Sequence, residues 1–209
     1  MHVPPKLSHA AFAGDRLVLT SAEGVRLVNF TNIDSGIGQV AQVPSGNGIV
    51  SPNGRWLGVT YSYSPRVTVY RLPEVERVAQ LETRNFIVDA FFSPSGDELA
   101  VINRSGVEFW DTGTWRLRLH EPEQPVADSY LFYAKDGKRV WKITNFHDAA
   151  LYERATLKKL LPLPANVLPI GLSPDGGSLA VSMDDQRIQL WDLANLRAQL
   201  RSLGLDWSE

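Results

Sequence analysis

The four histidines are the side chains best suited to metal binding or acid–base chemistry, and their spacing argues against a shared site. They stand at His2, His9, His120 and His147, outside any His-x-x-x-His or His-Glu-x-x-His pattern. The chain has no cysteine, which excludes disulfides, thiolate metal sites and cysteine nucleophiles. No Gly-x-Ser-x-Gly motif of serine hydrolases is present. We therefore predict no catalytic residue, no metal site and no cofactor.

Aromatic and cationic side chains in expected loops point instead to binding. Tyrosine and arginine supply much of the energy at protein interfaces, because they combine a large contact area with hydrogen bonding. The segment Tyr61-Ser62-Tyr63-Ser64-Pro65 is the most suggestive, although its tyrosines can equally pack between sheets. The predicted partner-binding loop residues are Tyr61, Tyr63, Arg66, Arg84, Arg104, Phe146, His147 and Arg187.

The charge balance narrows the class of partner. The net charge is −2 and the isoelectric point is about 6.1, with acidic and basic residues interspersed. Binding to nucleic acid needs a clustered basic face, and a membrane anchor needs a polybasic segment, so we expect neither partner. A protein or peptide partner remains. The lack of cysteine is compatible with a reducing cytoplasm, where we place the protein.

A repeated turn reveals the elements that must position these loops. Near-copies of Ser-Pro-Asn/Asp/Ser-Gly begin at Ser51, Ser93 and Ser173, and related turns begin at Ala11 and Ala134. The spacings are 40, 42, 41 and 39 residues, and glycine holds the fourth position each time. Proline presets φ for the second position of a β-turn and glycine accepts positive φ, so each turn reverses the chain between two strands.

Strands flank every turn. Apolar residues alternate after each one, and a third strand follows that ends in an aromatic and an acid in Val107–Asp111 and Ile188–Asp192. A more polar fourth strand comes next, as in Arg116–His120, which suits an outer edge. A β-sandwich would show spaced strands without a repeated sequence. We predict an all-β chain of about five repeats, each a four-stranded antiparallel sheet.

At Trp110-Asp111 and Trp191-Asp192 the chain resembles the WD-repeat family of β-propellers, in the degenerate form common in bacteria. The resemblance covers nearly the whole length. It implies a single propeller domain over 1–209, with repeats at roughly 7–44, 45–84, 85–125, 126–164 and 165–209. Asp185 matches the acid that closes the turn before the third strand. No Gly-His dipeptide opens a repeat, so the hydrogen-bonded network typical of the family is mostly absent.

The tail from Leu196 to Trp207 also resembles the ending of bacterial WD-repeat proteins. Its leucines recur at helical spacing and Gly204 suits a helix end, so we predict a short C-terminal helix rather than a fifth outer strand. The fifth repeat then lacks an outer strand. Either the ring is compact and five-bladed, or the chain is the C-terminal part of a larger propeller, which we favour. We expect self-association through an open blade edge in that case.

The resemblance implies a non-catalytic protein-interaction scaffold, such as the sensor or regulatory propeller of a multidomain bacterial protein. The alternative is a small-molecule or metal-dependent propeller enzyme of the lactonase or quinoprotein type. Carboxylates such as Asp89, Asp184 and Asp185 would then converge near the axis. Because Asp184-Asp185 also suits an ordinary strand-connecting turn, we favour the scaffold.

Overall fold

The computed structural model describes most of the chain in segments. The described residues are 7–13, 16–21, 24–29, 40–41, 46–61, 63–122, 130–145, 147–183 and 187–204. The chain divides into two compact units, Met1–Gln124 and Pro125–Glu209, which are taken in turn. Within the described residues, nineteen strands form five sheets and one helix follows the last strand. The predicted all-β class with antiparallel four-stranded sheets and a C-terminal helix is confirmed.

The first unit holds three four-stranded sheets, each formed by strands that are consecutive in the sequence. The first sheet consists of β1 (Leu7–Ala13), β2 (Arg16–Ser21), β3 (Gly24–Asn29) and β4 (Val40–Ala41). The second sheet consists of β5 (Asn47–Val50), β6 (Trp56–Thr60), β7 (Arg66–Arg71) and β8 (Glu76–Glu82). The third sheet consists of β9 (Ile87–Phe92), β10 (Glu98–Asn103), β11 (Gly106–Asp111) and β12 (Leu117–Pro122).

The second unit holds two sheets and the helix. The fourth sheet consists of β13 (Tyr130–Tyr133), β14 (Arg139–Asn145), β15 (Asp148–Glu153) and β16 (Lys159–Pro162). The fifth sheet has three strands among the described residues, β17 (Val167–Leu172), β18 (Ser178–Met183) and β19 (Arg187–Asp192). Helix α1 (Leu193–Ser202) follows β19 where the other sheets have a fourth strand.

In each antiparallel sheet, the strand ends and their connections lie along two opposite sides. Successive strands pair with each other, so the connections from the first to the second strand and from the third to the fourth lie at one end. We call that end the turn edge. The connections from the second to the third strand, and from the fourth strand onward, lie at the opposite end, which we call the loop edge.

The repeated Ser-Pro-x-Gly sequence forms the turn edge by one hydrogen-bonding scheme. At the second sheet, the Gly54 N–H donates to Ser51 O (2.8 Å), and the Trp56 N–H donates to Ser51 Oγ (2.9 Å). Gly54 has a φ of 69°, in the left-handed region that glycine tolerates. The turns at Ser93 and Ser173 repeat both bonds. This common scheme explains why the sequence repeats most clearly there.

The prediction of a turn that begins at Ala11 is wrong. Ala11, Phe12 and Ala13 lie within β1 rather than in a turn, and Ala13 pairs with Arg16 of β2. Without the Ser-Pro pair, nothing stops the strand at residue 11, and β1 continues to Ala13; Gly14 lies outside the described residues.

Facing sheets bury alternate apolar side chains. In the first unit, Val67 and Val69 of the second sheet pack with Leu99 and Val101 of the third, all fully buried. Val18 of the first sheet packs in the same way against the second sheet. A separate core in the second unit joins the fourth and fifth sheets through residues such as Trp141, Leu151, Leu179 and Val181.

Helix α1 ends the fifth sheet as the tail pattern predicted. Asp192 caps it, since its side chain accepts a hydrogen bond from the Asn195 N–H (2.9 Å). Leu193 and Leu200 pack on the core of the second unit, and Gly204 follows the helix at a φ of 69°. The described part of the chain contains no helix with the length and apolar character needed to cross a membrane.

Candidate functional site

The predicted binding residues of the first unit gather at the loop edge of the second and third sheets. Tyr61 and Tyr63 lie in the β6–β7 connection, Arg84 in the β8–β9 connection and Arg104 in the β10–β11 turn. Sequence spacing alone does not bring them together. The antiparallel order does, because all three connections leave the same end of the two sheets.

Main-chain hydrogen bonds join the three connections. The Thr83 N–H donates to Pro65 O (2.7 Å) and the Ile87 N–H donates to Ser64 O (3.2 Å). The Arg104 N–H donates to Phe86 O (3.1 Å). Each loop is therefore fixed by its neighbour as well as by its own strands, which gives the edge a rigid base.

A buried carboxylate, Glu108, forms hydrogen bonds that hold two of these connections together. Its side chain on β11 is only 1% exposed, and its Oε1 accepts hydrogen bonds from the Arg84 N–H (2.9 Å) and from Asn103 Nδ2 (2.8 Å). Asn103 Oδ1 in turn accepts from the Ser105 N–H (2.8 Å). Glu108 Oε2 has no hydrogen-bond partner within the described part of the chain. Glu108 thus links the β8–β9 connection to the β10–β11 turn.

The exposed side chains at this edge include two aromatic and two cationic ones. Tyr63 is 79% exposed and has a φ of 58°, which is uncommon for a residue with a side chain. Phe86 is also exposed. Among the described residues, the guanidinium groups of Arg84 and Arg104 make no hydrogen bond or ion pair, and each residue donates only its main-chain N–H.

Two of the predicted residues differ from this description. Tyr61 is half-buried and packs against the Val18–Leu57–Val59 core, so the two tyrosines of the segment divide between packing and exposure. Arg66 is the first residue of β7 rather than a loop residue, and its guanidinium pairs with Glu82 (3.0 Å). Hydrogen bonds to the Glu82 carboxylate, first from Gln80 and then from Arg66, lower its pKa.

The remaining candidates lie at the loop edge of the second unit. His147 is exposed, its N–H donates to Asn145 Oδ1 (2.8 Å), and its ring bonds to Asn166. Arg187 is exposed and begins β19, so it too belongs to a strand. Phe146 lies outside the described residues. The second unit therefore shows no cluster comparable to that of the first within its described part.

The second unit has an open cavity of about 570 Å³ at its turn edge, which the sequence did not indicate. Trp141, Leu151, Leu172 and Leu193 form an apolar floor, and charged residues of the two turns and of α1 surround it. Most of these charges are already engaged. Arg139 bonds to Asp136, and a hydrogen bond from Ser173 lowers the pKa of the nearby Asp175. The cavity therefore lies at the opposite end of the unit from His147, which is at the loop edge.

Among the described residues, no group of three or more His, Asp or Glu side chains is arranged to hold a metal ion. Asp89, named for the enzyme alternative, accepts a hydrogen bond from the neighbouring Ala90 N–H (2.8 Å). Asp184 and Asp185 lie outside the described residues.

Comparison with known proteins identifies the fold. No family model matches the chain, and no curated protein is similar to it in sequence. Among solved structures it is similar to the Cps50 (Swd1) β-propeller domain of Myceliophteria thermophila, with a TM-score of 0.72 over 94% of this chain and 68% of that one. The fold is that of a β-propeller.

A second similar structure belongs to a different kind of protein. The hydrazine synthase of Kuenenia stuttgartiensis matches with a TM-score of 0.71 over 94% of this chain and 67% of that one. The identities are 17% for the synthase and 16% for the propeller domain, which show the shared fold alone. Because one neighbour is an enzyme, the propeller fold is compatible with either predicted function.

Proposed function

We propose that the chain is a non-catalytic scaffold that binds a protein or peptide through the loop edge of its second and third sheets. The observation that carries this proposal is the pairing of exposed aromatic side chains with two unpaired arginines on a fixed base. Tyr63 and Phe86 are exposed there, and Arg84 and Arg104 have free guanidinium groups among the described residues.

The chemistry of this edge suits an acidic partner that also carries apolar side chains. Arginine binds carboxylates through two parallel hydrogen bonds, and such charge-assisted bonds are stronger than neutral ones. Glu108 at this edge is buried and accepts its hydrogen bonds from Arg84 N and Asn103 Nδ2 rather than from a guanidinium, and the exposed Glu82 pairs with Arg66. Tyr63 and Phe86 offer flat apolar area next to these cations.

The rigid base adds to the proposed binding. Ordering a loop on association costs free energy, so loops held before binding retain more of the interaction energy. The hydrogen bonds from Thr83, Ile87 and Arg104 across neighbouring connections supply this order. Propeller loops presented from adjacent sheets thereby form one continuous contact surface.

The wider assignment rests on the resemblance noted in the sequence. The Trp110-Asp111 and Trp191-Asp192 pairs and the Ser-Pro-x-Gly turns support a WD-repeat-like module of bacterial type. We propose for it a sensor or regulatory role in a multidomain cytoplasmic protein. The single-domain extent over 1–209 and its place within a larger propeller stay predictions, as does the enzyme alternative, which no described group of residues specifically favours.

Selection from a displayed library of random peptides tests the proposal with the full chain as bait. The expected result is enrichment of peptides that combine Asp or Glu with an aromatic residue. The double variant Arg84→Glu/Arg104→Glu should lose this enrichment, because it reverses both charges without touching a main-chain bond. Tyr63→Ala should weaken it.

Lys135→Glu is the matched control, since it changes a surface lysine at the turn edge of the second unit. This variant should select the same peptides as the natural chain. Enrichment that is absent, or equal for all the variants, would overturn the proposal.

A further inference from the structure

The open cavity of the second unit corresponds to a space that aromatic side chains fill in the first unit. There, Trp56 and Trp115 meet edge to face at the turn edge of the second and third sheets, with ring centroids 5.2 Å apart. Phe92 belongs to the same buried core. Three aromatic rings therefore pack at this end of that sheet pair.

The matching positions of the fourth and fifth sheets hold smaller or charged side chains. Arg139 lies five residues after the start of its turn, as Trp56 does. Leu172 ends the first strand of the fifth sheet, as Phe92 ends that of the third. Neither position of the second unit carries an aromatic ring.

Helix α1 stands in place of the segment that carries the third ring. The β11–β12 connection of the third sheet includes Trp115, whereas α1 follows the third strand of the fifth sheet. The Leu193 N–H donates to Gly177 O (2.9 Å), which repeats the hydrogen bond that begins the β11–β12 connection. The space that Trp115 fills in the first unit is thus bounded in the second by Leu193 and Ala194, which line the cavity.

The cavity is apolar at its floor and large enough for a small molecule. Its volume of about 570 Å³ lies within the range of about 300–1,000 Å³ that is usual for ligand pockets. Trp141 is the one aromatic residue among its described lining residues, and it is 1% exposed. Because one ring lies here against three in the first unit, a planar aromatic group fits the space, with Trp141 as its ring partner.

The lining of the cavity carries more positive than negative side chains. The three cations Lys135, Arg139 and Arg197 stand against two carboxylates, those of Asp136 and Asp175. Arg139 and Asp136 bond to each other, so their charges balance within one turn. One negative charge on a ligand would complete the balance of the others.

Lys135 is the side chain placed to bind that charge. It is exposed, and within the described part of the chain its ammonium group makes no hydrogen bond or close ion pair. Its stem lies near Gly176 of the facing turn, where an added Cβ would be 2.8 Å from Lys135 Cβ. Asp175 accepts its hydrogen bonds from Ser173 and from the Gly177 N–H rather than from the lysine. Lys135 therefore keeps its donors available beside the apolar floor.

We propose that this cavity binds a small molecule that consists of fused aromatic rings and one carboxylate. The rings take the place that aromatic side chains fill in the first unit, and the carboxylate accepts hydrogen bonds from Lys135. All of the lining residues belong to the second unit. The inference therefore goes beyond the proposed function and does not depend on the partner at the loop edge of the first unit.

Fluorine NMR titration of the full chain with 6-fluoro-2-naphthoate tests the cavity. A probe of this size should bind with a Kd of about 0.1–1 mM. Ala194→Trp places a ring in the cavity from α1 and should weaken binding at least about tenfold, because the ring occupies the space of the probe. Gln199→Trp is the matched control. Gln199 is exposed about 140° around the same helix, outside the lining, so this variant should bind the probe like the natural chain.

Lys135→Glu tests the contact with the carboxylate. The charge reversal should weaken binding of the naphthoate at least about tenfold, whereas the uncharged 6-fluoro-2-naphthalenemethanol should bind both chains alike. Lys138→Glu changes an exposed lysine of the same turn outside the lining, so its affinity for the naphthoate should stay within about twofold of the natural value. Equal affinities of the natural chain and Lys135→Glu for the naphthoate would overturn the carboxylate as part of the ligand.

The indole N–H of Trp141 provides a second readout that locates the bound probe. Its signal in proton–nitrogen correlation spectra, assigned by comparison with Trp141→Phe, should shift as the naphthoate is added. A signal that stays in place while the probe binds would overturn the proposal. So would a natural chain that binds no probe at about 5 mM, or binding that Ala194→Trp leaves unchanged. Circular dichroism of each variant checks that its strands form.

Discussion

Replacement of Glu108 provides the sharpest test of how the loop edge is held. Glu108→Ala removes the acceptor of two hydrogen bonds, from the Arg84 N–H and from Asn103 Nδ2, at a side chain that is 1% exposed. A buried donor without its partner costs about 1–3 kcal/mol. Since the Arg84 N–H lies nearer the surface, we expect a total loss of about 2–4 kcal/mol in the free energy of unfolding.

Glu108→Gln is the matched variant. Glutamine keeps the Oε1 acceptor that serves both bonds, and it replaces only Oε2, which has no partner among the described residues. Its free energy of unfolding should therefore lie within about 1 kcal/mol of that of the natural chain.

Urea denaturation monitored by tryptophan fluorescence measures the free energy of unfolding of both Glu108 variants. Equal losses for the two variants would refute the role of Oε1, and a loss below about 1 kcal/mol for Glu108→Ala would refute the buried hydrogen-bond account. Binding adds a second readout. Glu108→Ala should weaken any peptide selected by the loop edge, because Arg84 is no longer fixed, whereas Glu108→Gln should bind normally.

Three further predictions concern the turn edge. Gly96→Ala should lower the free energy of unfolding by about 1 kcal/mol more than Gly204→Ala does. Both glycines have a positive φ, but a Cβ at Gly96 would lie 2.3 Å from Asn53 Nδ2. It would break the hydrogen bond from Asn53 Nδ2 to Ser95 O, whereas a Cβ at Gly204 would enter open space. A difference near zero in urea denaturation would contradict this. Ala134→Ser should raise the free energy of unfolding by about 0.5–1.5 kcal/mol, and with it the melting temperature, because the other three turns use a serine hydroxyl to accept a main-chain N–H. An unchanged melting temperature would count against the shared scheme. Hydrogen bonds from Ser95 and Ser93 lower the pKa of Asp97 below its usual 3.8, so its ionised form stabilises the fold above that pH. The stability advantage over Asp97→Asn should be complete above about pH 5 and shrink as the pH falls below 3.8, and a pH-independent difference would refute it.

The sequence predicted the sheets well because local chemistry sets them. Proline and glycine fix the turns at Ser51, Ser93 and Ser173, and alternation places the strands on either side. It failed at Ala11, where the Ser-Pro pair is missing and the strand continues. The helix was predictable from leucine spacing, since Leu193 and Leu200, which recur at that spacing, pack on the core of the second unit.

The site was only partly predictable. The sequence named Tyr63, Arg84 and Arg104 as loop residues, but their common edge follows from pairing between strands far apart in the chain. Glu108 was overlooked because a charged residue within an alternating strand normally suggests an exposed side chain. Asn103, five residues earlier, was the available signal, since a buried carboxylate needs a donor close by. The cavity beside Trp141 also depends on distant elements.

The most direct test of the proposed function is a fluorescence anisotropy titration of a selected acidic, aromatic peptide with the natural chain and with Arg84→Glu/Arg104→Glu. The account predicts that the charge-reversed chain binds at least about tenfold more weakly, and that added salt weakens the natural complex. It also predicts that a peptide with lysine in place of its acids binds the natural chain poorly. Equal affinities of the two chains for the acidic peptide would contradict the claim that this edge is the binding surface.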